Sequence, residues 1–111
     1  MDGRLCIYGL KTCDTCRRVM KDVQAAGRAA ALRDVRQTPL DAAERARFLD
    51  AFGPALINRR SATWRGLSEA ERSASPADLL AAHPALMKRP VIEANGVLYL
   101  GWDAGVKSAL L

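Results

Sequence analysis

The spacing of apolar and polar positions changes period several times along this chain. Leu5-Cys6-Ile7-Tyr8-Gly9-Leu10 is a continuous apolar run, which predicts a buried strand over residues 4–9. From 14 to 26 the spacing is helical and Gly27 supplies a stop; a β-like stretch with Leu32 and Val35 follows at 31–35. Strand, helix and strand in that order predict a parallel pair joined by a right-handed crossover. The middle of the chain is helical. Pro39 and Asp41 open a helix through Phe48, Leu49 and Phe52, which Gly53-Pro54 ends. Residues 58–63 read as a loop, and 67–70 and 76–82 as two short helices. Ser68 with Glu71 forms a capping-box pattern, and Ser75-Pro76 an N-cap followed by proline at the first helical position. Strand-like runs return in Pro90-Val91-Ile92-Glu93-Ala94 and Val97-Leu98-Tyr99-Leu100, on either side of Asn95-Gly96, a strong signal for a two-residue hairpin. A last helix at 103–111 is expected to pack on the sheet through Val106, Ala109 and Leu110. No linker is long enough to separate two domains, so residues 1–111 read as one domain with a helical insertion at about 40–84.

Composition narrows the setting. Half of the 111 residues are apolar but only 5% are aromatic, so the core is expected to consist of thin, helix-rich layers with a few aliphatic strands. Three cysteines are too few and too clustered for a secreted disulfide framework, which favours a reducing compartment. With neither a signal-peptide pattern nor an apolar run near the roughly 20 residues of a membrane span, a cytoplasmic protein that does not enter membranes is expected. The net charge of +5, from 17 Lys and Arg against 12 Asp and Glu, admits an anionic partner: nucleic acid, an acidic protein surface, a glutathione-like peptide or an oxyanion. The basic residues are dispersed, however, and a solvated surface explains them more simply.

Chemistry concentrates in Cys13-Asp14-Thr15-Cys16, between the first strand and its helix. A thiol at such a junction meets unpaired backbone N–H groups and the positive end of a helix dipole, both of which favour the thiolate. Cys16 lies one turn further on the same face and can close a disulfide. Lys11 and Arg17 are further candidates for lowering the Cys13 pKa. The alternative, two inert cysteines at a helix start, fits the strand–CxxC–helix context less well. Zinc would need two more ligands, and only Cys6 and His83 are on offer; Cys6 reads as a buried small hydrophobe and His83 as a helix-end residue, so no metal site is expected. With CxxC at the first junction, β-α-β, helical insertion, β-β-α describes an α/β thioredoxin-like fold with a four-stranded mixed sheet flanked by helices. Arg59, Arg60 and Arg65 gather around Trp64, either as an anion-binding rim or as solvated arginines about a packing tryptophan. Trp102 is expected to anchor the last helix.

Tyr8-Gly9-Leu10-Lys11-Thr12-Cys13-Asp14-Thr15-Cys16, Leu56-Ile57-Asn58-Arg59-Arg60-Ser61-Ala62-Thr63-Trp64 and Met87-Lys88-Arg89-Pro90-Val91 resemble, in order and separation, three landmarks of the arsenate reductase-like family, which includes ArsC, YffB-type and Spx-type proteins. The wording is most similar to the YffB-type branch. The resemblance implies that Cys13 is the nucleophile, Arg89 the arginine before the thioredoxin-fold proline, and Pro90 that proline, usually cis. It departs from arsenate reductases at two positions that should carry oxyanion-holding arginines: Asn58 stands at one and Gly101-Trp102 at the other. A compact oxyanion needs several charge-assisted donors, so a thiol substrate fits better than arsenate.

The expectation is a thiol-dependent reductase that uses glutathione or another thiol as co-substrate and has no tightly bound cofactor. Cys13, Cys16 and Arg89 would be catalytic, with Cys16 or glutathione resolving the mixed disulfide. Lys11, Thr12, Arg60 and Pro90 would contact a thiol or disulfide substrate. A rival is an Spx-like redox sensor whose partner is the RNA polymerase α subunit; a third reading is arsenate reductase proper, which requires Arg59 or Arg60 to supply the missing cation. Without a helix-turn-helix or a basic helical arm, direct nucleic-acid binding is not expected.

Overall fold

A computed structural model describes residues 4–111. Contacts gather into two compact units, residues 4–34 with Arg89–Leu111, and Val35–Lys88. The first is an α/β layer. Strands β1 (Leu5–Gly9), β2 (Ala30–Asp34), β3 (Val91–Ala94) and β4 (Val97–Leu100) form one sheet in the order β2-β1-β3-β4. β1 is parallel to β2 and antiparallel to β3, and β3 and β4 are antiparallel. The sheet is therefore four-stranded and mixed, as the order of elements predicts.

Leu5, Ile7, Ile92 and Ala94 project from one face of the sheet into a core shared with Val19 and Val23 of helix α1 (Asp14–Ala25) and Leu110 of the C-terminal helix, Ala104–Leu110. Alternation along β1 sends Cys6 and Tyr8 to the other face, in register with Glu93 and Val91 of β3. Cys6 is half-buried there, not a core residue as expected: it lies opposite the half-buried Glu93, whereas Tyr8 and Val91 on the same face are buried. In the C-terminal helix Leu110 is buried and Val106 half-buried, but Ala109 faces out, one position off the packing stripe.

Local chemistry accounts for the element ends. Gly27 closes α1 at φ +79; its N–H reaches Gln24 O, and that of Arg28 reaches Val23 O, the two bonds of a Schellman cap. Asn95 and Gly96 both lie at positive φ, as a type I′ hairpin requires. Trp102 packs on the sheet core and donates from Nε1 to Asp22 Oδ2 at 2.9 Å, fixing the entry to the last helix to α1.

In the second unit, helix α2 (Ala42–Phe52) opens on a capping box between Asp41 and Glu44 and buries Phe48 completely. Gly53 ends it, and Pro54 continues into a 3₁₀ turn, Gly53–Leu56, instead of a plain stop. Helix α3 (Ala62–Arg65) occupies the end of the expected loop, capped by the Ser61 hydroxyl on Trp64 N. Helix α4 (Glu69–Arg72) starts two residues later than predicted, since Ser68 is its N-cap and the buried Leu67 precedes it. Helix α5 (Pro76–Ala82) begins after the Ser75 cap as expected, and α6 is the C-terminal Ala104–Leu110. Trp64 packs with Leu67, Leu79 and Leu86. No helix among the described residues is long and apolar enough to cross a membrane.

Candidate active site

Strand β1 ends at Gly9, a tight turn follows in which Cys13 N–H donates to Leu10 O at 3.1 Å, and Cys13 becomes the N-cap of α1 in an extended conformation. The turn is held from the side by Asp34 at the end of β2, whose Oδ2 accepts from the Lys11 backbone N–H at 2.9 Å. Cys13 is half-buried, Cys16 is fully buried, and both are free thiols.

The two thiols are shifted in opposite directions. Partial burial pushes the Cys13 thiol up, but the Cys16 backbone N–H, the Cys16 thiol and the Arg89 guanidinium together outweigh it and leave Cys13 below its ordinary value. Cys16 is pushed up to about 12, first by burial and then by the hydrogen bond and charge of Cys13, against a lowering contribution from the Leu10 backbone. The pair is therefore one acidic, accessible sulfur with a neutral S–H donor behind it.

Arg89 reaches this site through topology. It directly precedes β3, which pairs with β1, and its guanidinium hydrogen-bonds to the Cys13 sulfur. The Arg89–Pro90 peptide is cis, Pro90 is buried, and its carbonyl accepts from Gly101 N at 2.8 Å.

The cation beside Cys13 is thus Arg89 and not the two neighbours in sequence. Arg17 donates instead to Asp14 at 2.7 Å on the helix surface, where both side chains are largely exposed. Lys11 and Thr12 form the exposed turn before Cys13, and what fixes Lys11 is its backbone. Arg60 belongs to the helical unit, in the segment before α3, where its N–H donates to Asn58 Oδ1 at 3.0 Å. Around Trp64, Arg59 and Arg72 stack on the ring at 5.3 and 5.5 Å, and Arg65 donates to Arg60 O. Much of this arginine cluster is therefore engaged with the tryptophan and its backbone, and the role of Arg72 was not visible in sequence. His83 lies 3.7 Å from Glu71. Among the described residues no three His, Cys, Asp or Glu side chains gather as metal ligands would.

The profile of the ArsC family matches residues 8–108, a span that includes both cysteines and Arg89. The chain belongs to the ArsC family. Three relatives extend the match. A protein of Haemophilus influenzae is 32% identical over 102 residues, covering 87% of this chain and 90% of its own. The solution structure of an arsenate reductase (ArsC)-related protein from Brucella melitensis is 34% identical, with a TM-score of 0.74 over 96% of this chain and 92% of that one. The YFFB (PA3664) protein is 27% identical with a TM-score of 0.88, over 96% and 98% of the two chains. In this ArsC-family chain the CxxC cysteines and the arginine before the cis-proline are the groups brought together around one sulfur.

Proposed function

We propose that this ArsC-family protein is a thiol–disulfide oxidoreductase with Cys13 as nucleophile. The observation that carries this reading is the convergence of the Arg89 guanidinium and the Cys16 thiol on one half-buried sulfur at a helix N-terminus. A sulfur so placed is ionised at lower pH than an ordinary thiol and is open to a disulfide partner.

The reaction proceeds in two exchanges. The Cys13 thiolate attacks one sulfur of a substrate disulfide, the S–S bond breaks, and the departing thiolate takes up a proton. Cys13 is then joined to the substrate as a mixed disulfide. A second thiol then resolves the mixed disulfide. If Cys16 attacks the Cys13 sulfur, the bound group leaves as a thiol and a Cys13–Cys16 disulfide forms, which two external thiols must reduce. If Cys13 carries a glutathionyl group, free glutathione attacks the glutathionyl sulfur, Cys13 leaves as the thiolate and oxidised glutathione forms. Each cycle converts one disulfide to two thiols at the expense of two thiols oxidised to one disulfide. Arg89 stabilises the thiolate at the start and again when Cys13 is the leaving group.

A glutathione mixed disulfide suits the site better than arsenate. Asn58, at a position where an oxyanion-holding arginine is expected, uses its side-chain oxygen to accept the Arg60 N–H and so contributes a turn instead of a cation. The name of the Brucella melitensis relative refers to arsenate reductase, so arsenate belongs in the same assay. The test is reduction of a glutathione mixed disulfide by the wild type, Cys13→Ser and Cys16→Ser with glutathione as donor. Cys13→Ser should abolish turnover. Cys16→Ser should accumulate a Cys13 adduct or turn over more slowly. Turnover that survives Cys13→Ser would remove Cys13 from the mechanism.

A further inference from the structure

Gly9 differs from the other glycines in what it makes room for. Gly27, Gly53, Gly96 and Gly101 all lie at positive φ, with open space where a side chain would go; the backbone itself selects glycine there. Gly9 has no such φ. A Cβ at this position would instead overlap the Cys16 Sγ, while standing 3.4 Å from the Cys16 Cβ and 3.9 Å from Leu32 Cδ1. Among the described glycines this is the collision that a side chain could not avoid. Its neighbour is a fully buried sulfur on a short side chain, with little freedom to move away. Glycine inside a strand weakens it, and it commonly marks a close approach by another group. Here the approaching group is the second cysteine of the pair.

We propose that Gly9 is a positioning residue for the cysteine pair: its bare Cα holds open the volume occupied by the Cys16 Sγ and thereby fixes that thiol where it donates to the Cys13 sulfur. The inference rests on Cys13 being the reactive sulfur but not on which disulfide it reduces. An added methyl must drive the Cys16 sulfur from its place, weakening a hydrogen bond that favours the Cys13 thiolate. The effect is thus conveyed wholly through one atom, the Cys16 Sγ, and removing that atom should remove the effect.

The experiment is a double-mutant cycle on the pH dependence of Cys13 alkylation, followed by peptide mass spectrometry, in the wild type, Gly9→Ala, Cys16→Ala and the double variant. Gly9→Ala should move the Cys13 titration upward and slow alkylation at neutral pH. In the Cys16→Ala background the same substitution should move it no further, since the methyl then meets only the remaining Cβ at ordinary contact distance. Thermal midpoints should follow the same logic. Gly9→Ala lowers the midpoint in the wild type and is neutral or mildly stabilising in Cys16→Ala, where a strand glycine is replaced without a clash. A Gly9→Ala protein that cannot fold, beside a double variant that can, would support the assignment equally. An equal shift in both backgrounds, no shift in the first, or a double variant that fails to fold would overturn it. Loss of disulfide-reducing turnover is scored separately, so failure of the proposed reaction does not read as failure of this role.

Discussion

The raised Cys16 thiol makes a stability prediction confined to alkaline pH. In the unfolded chain Cys16 titrates near the ordinary thiol value of ~8.5, whereas in the folded chain it holds its proton up to about 12. A group whose folded-state value is raised contributes stability in full below its unfolded value and loses that contribution as pH climbs between the two. The slope in that window is about 1.4 kcal/mol per pH unit for one proton. Going from about pH 9 to about pH 10.5 should therefore take roughly 2 kcal/mol from the wild type that Cys16→Ala has no means of losing. Cys13 does not blur the comparison. Its folded-state value is lowered, so its contribution appears as pH rises toward the unfolded value and is constant above it. Urea denaturation of both proteins, fully reduced, at the two pH values reads the difference. Deleting the buried sulfur offsets the Cys16→Ala curve at every pH, and only the change in the gap matters. A gap that stays constant from pH 9 to 10.5 would show that Cys16 is not held protonated by the fold.

Arg89→Gln keeps a polar side chain but removes the charge, so the Cys13 alkylation profile should move to higher pH; an unchanged profile would exclude Arg89 as the activating cation. Arg17→Gln should leave that profile in place, because Arg17 is engaged with Asp14 at the surface. Phe48→Ala, at a fully buried position in α2, should destabilise the protein by about 3–5 kcal/mol in chemical denaturation, and a loss below ~1 kcal/mol would contradict its burial. Trp102→Phe preserves most of the ring but leaves Asp22 without its donor, and about 1 kcal/mol of stability should go with it, measured by the same method.

The elements with sharp local chemistry were legible in the sequence. Asn95-Gly96 has one favoured use between two strand-like runs, and Ser68 and Ser75 make the caps their patterns announce, while α2 begins only after Asp41, leaving Pro39 outside the helix. The one-turn helix α3 was hidden because its four residues are too few to establish a period. The exposure of Ala109 is not legible, because alanine is nearly silent about which face it prefers. At the site, both cysteines could be read from spacing alone. The cation could not. Sequence proximity favours Lys11 and Arg17, but a helix start displays its near neighbours to solvent, and the arginine beside Cys13 arrives by the β1–β3 pairing. The resemblance to the ArsC family pointed to Arg89 where local reasoning did not. Gly9 left a signal, a glycine inside an otherwise apolar strand just before CxxC, whose meaning required the position of the Cys16 sulfur.

Arg89 also gives the thiol a schedule. A ribosome delivers Cys13 and the whole first strand–helix–strand stretch long before it delivers Arg89 and the β3 strand that pairs with β1. Until then the cysteine has only its own helix end to favour ionisation, and the share of its acidity owed to the guanidinium is absent. The nascent polypeptide thus carries a less reactive sulfur until Arg89 has been made and β3 has paired with β1. A chain that has not yet brought Arg89 to Cys13 is in this way less exposed to oxidation and to stray disulfide exchange than the folded one.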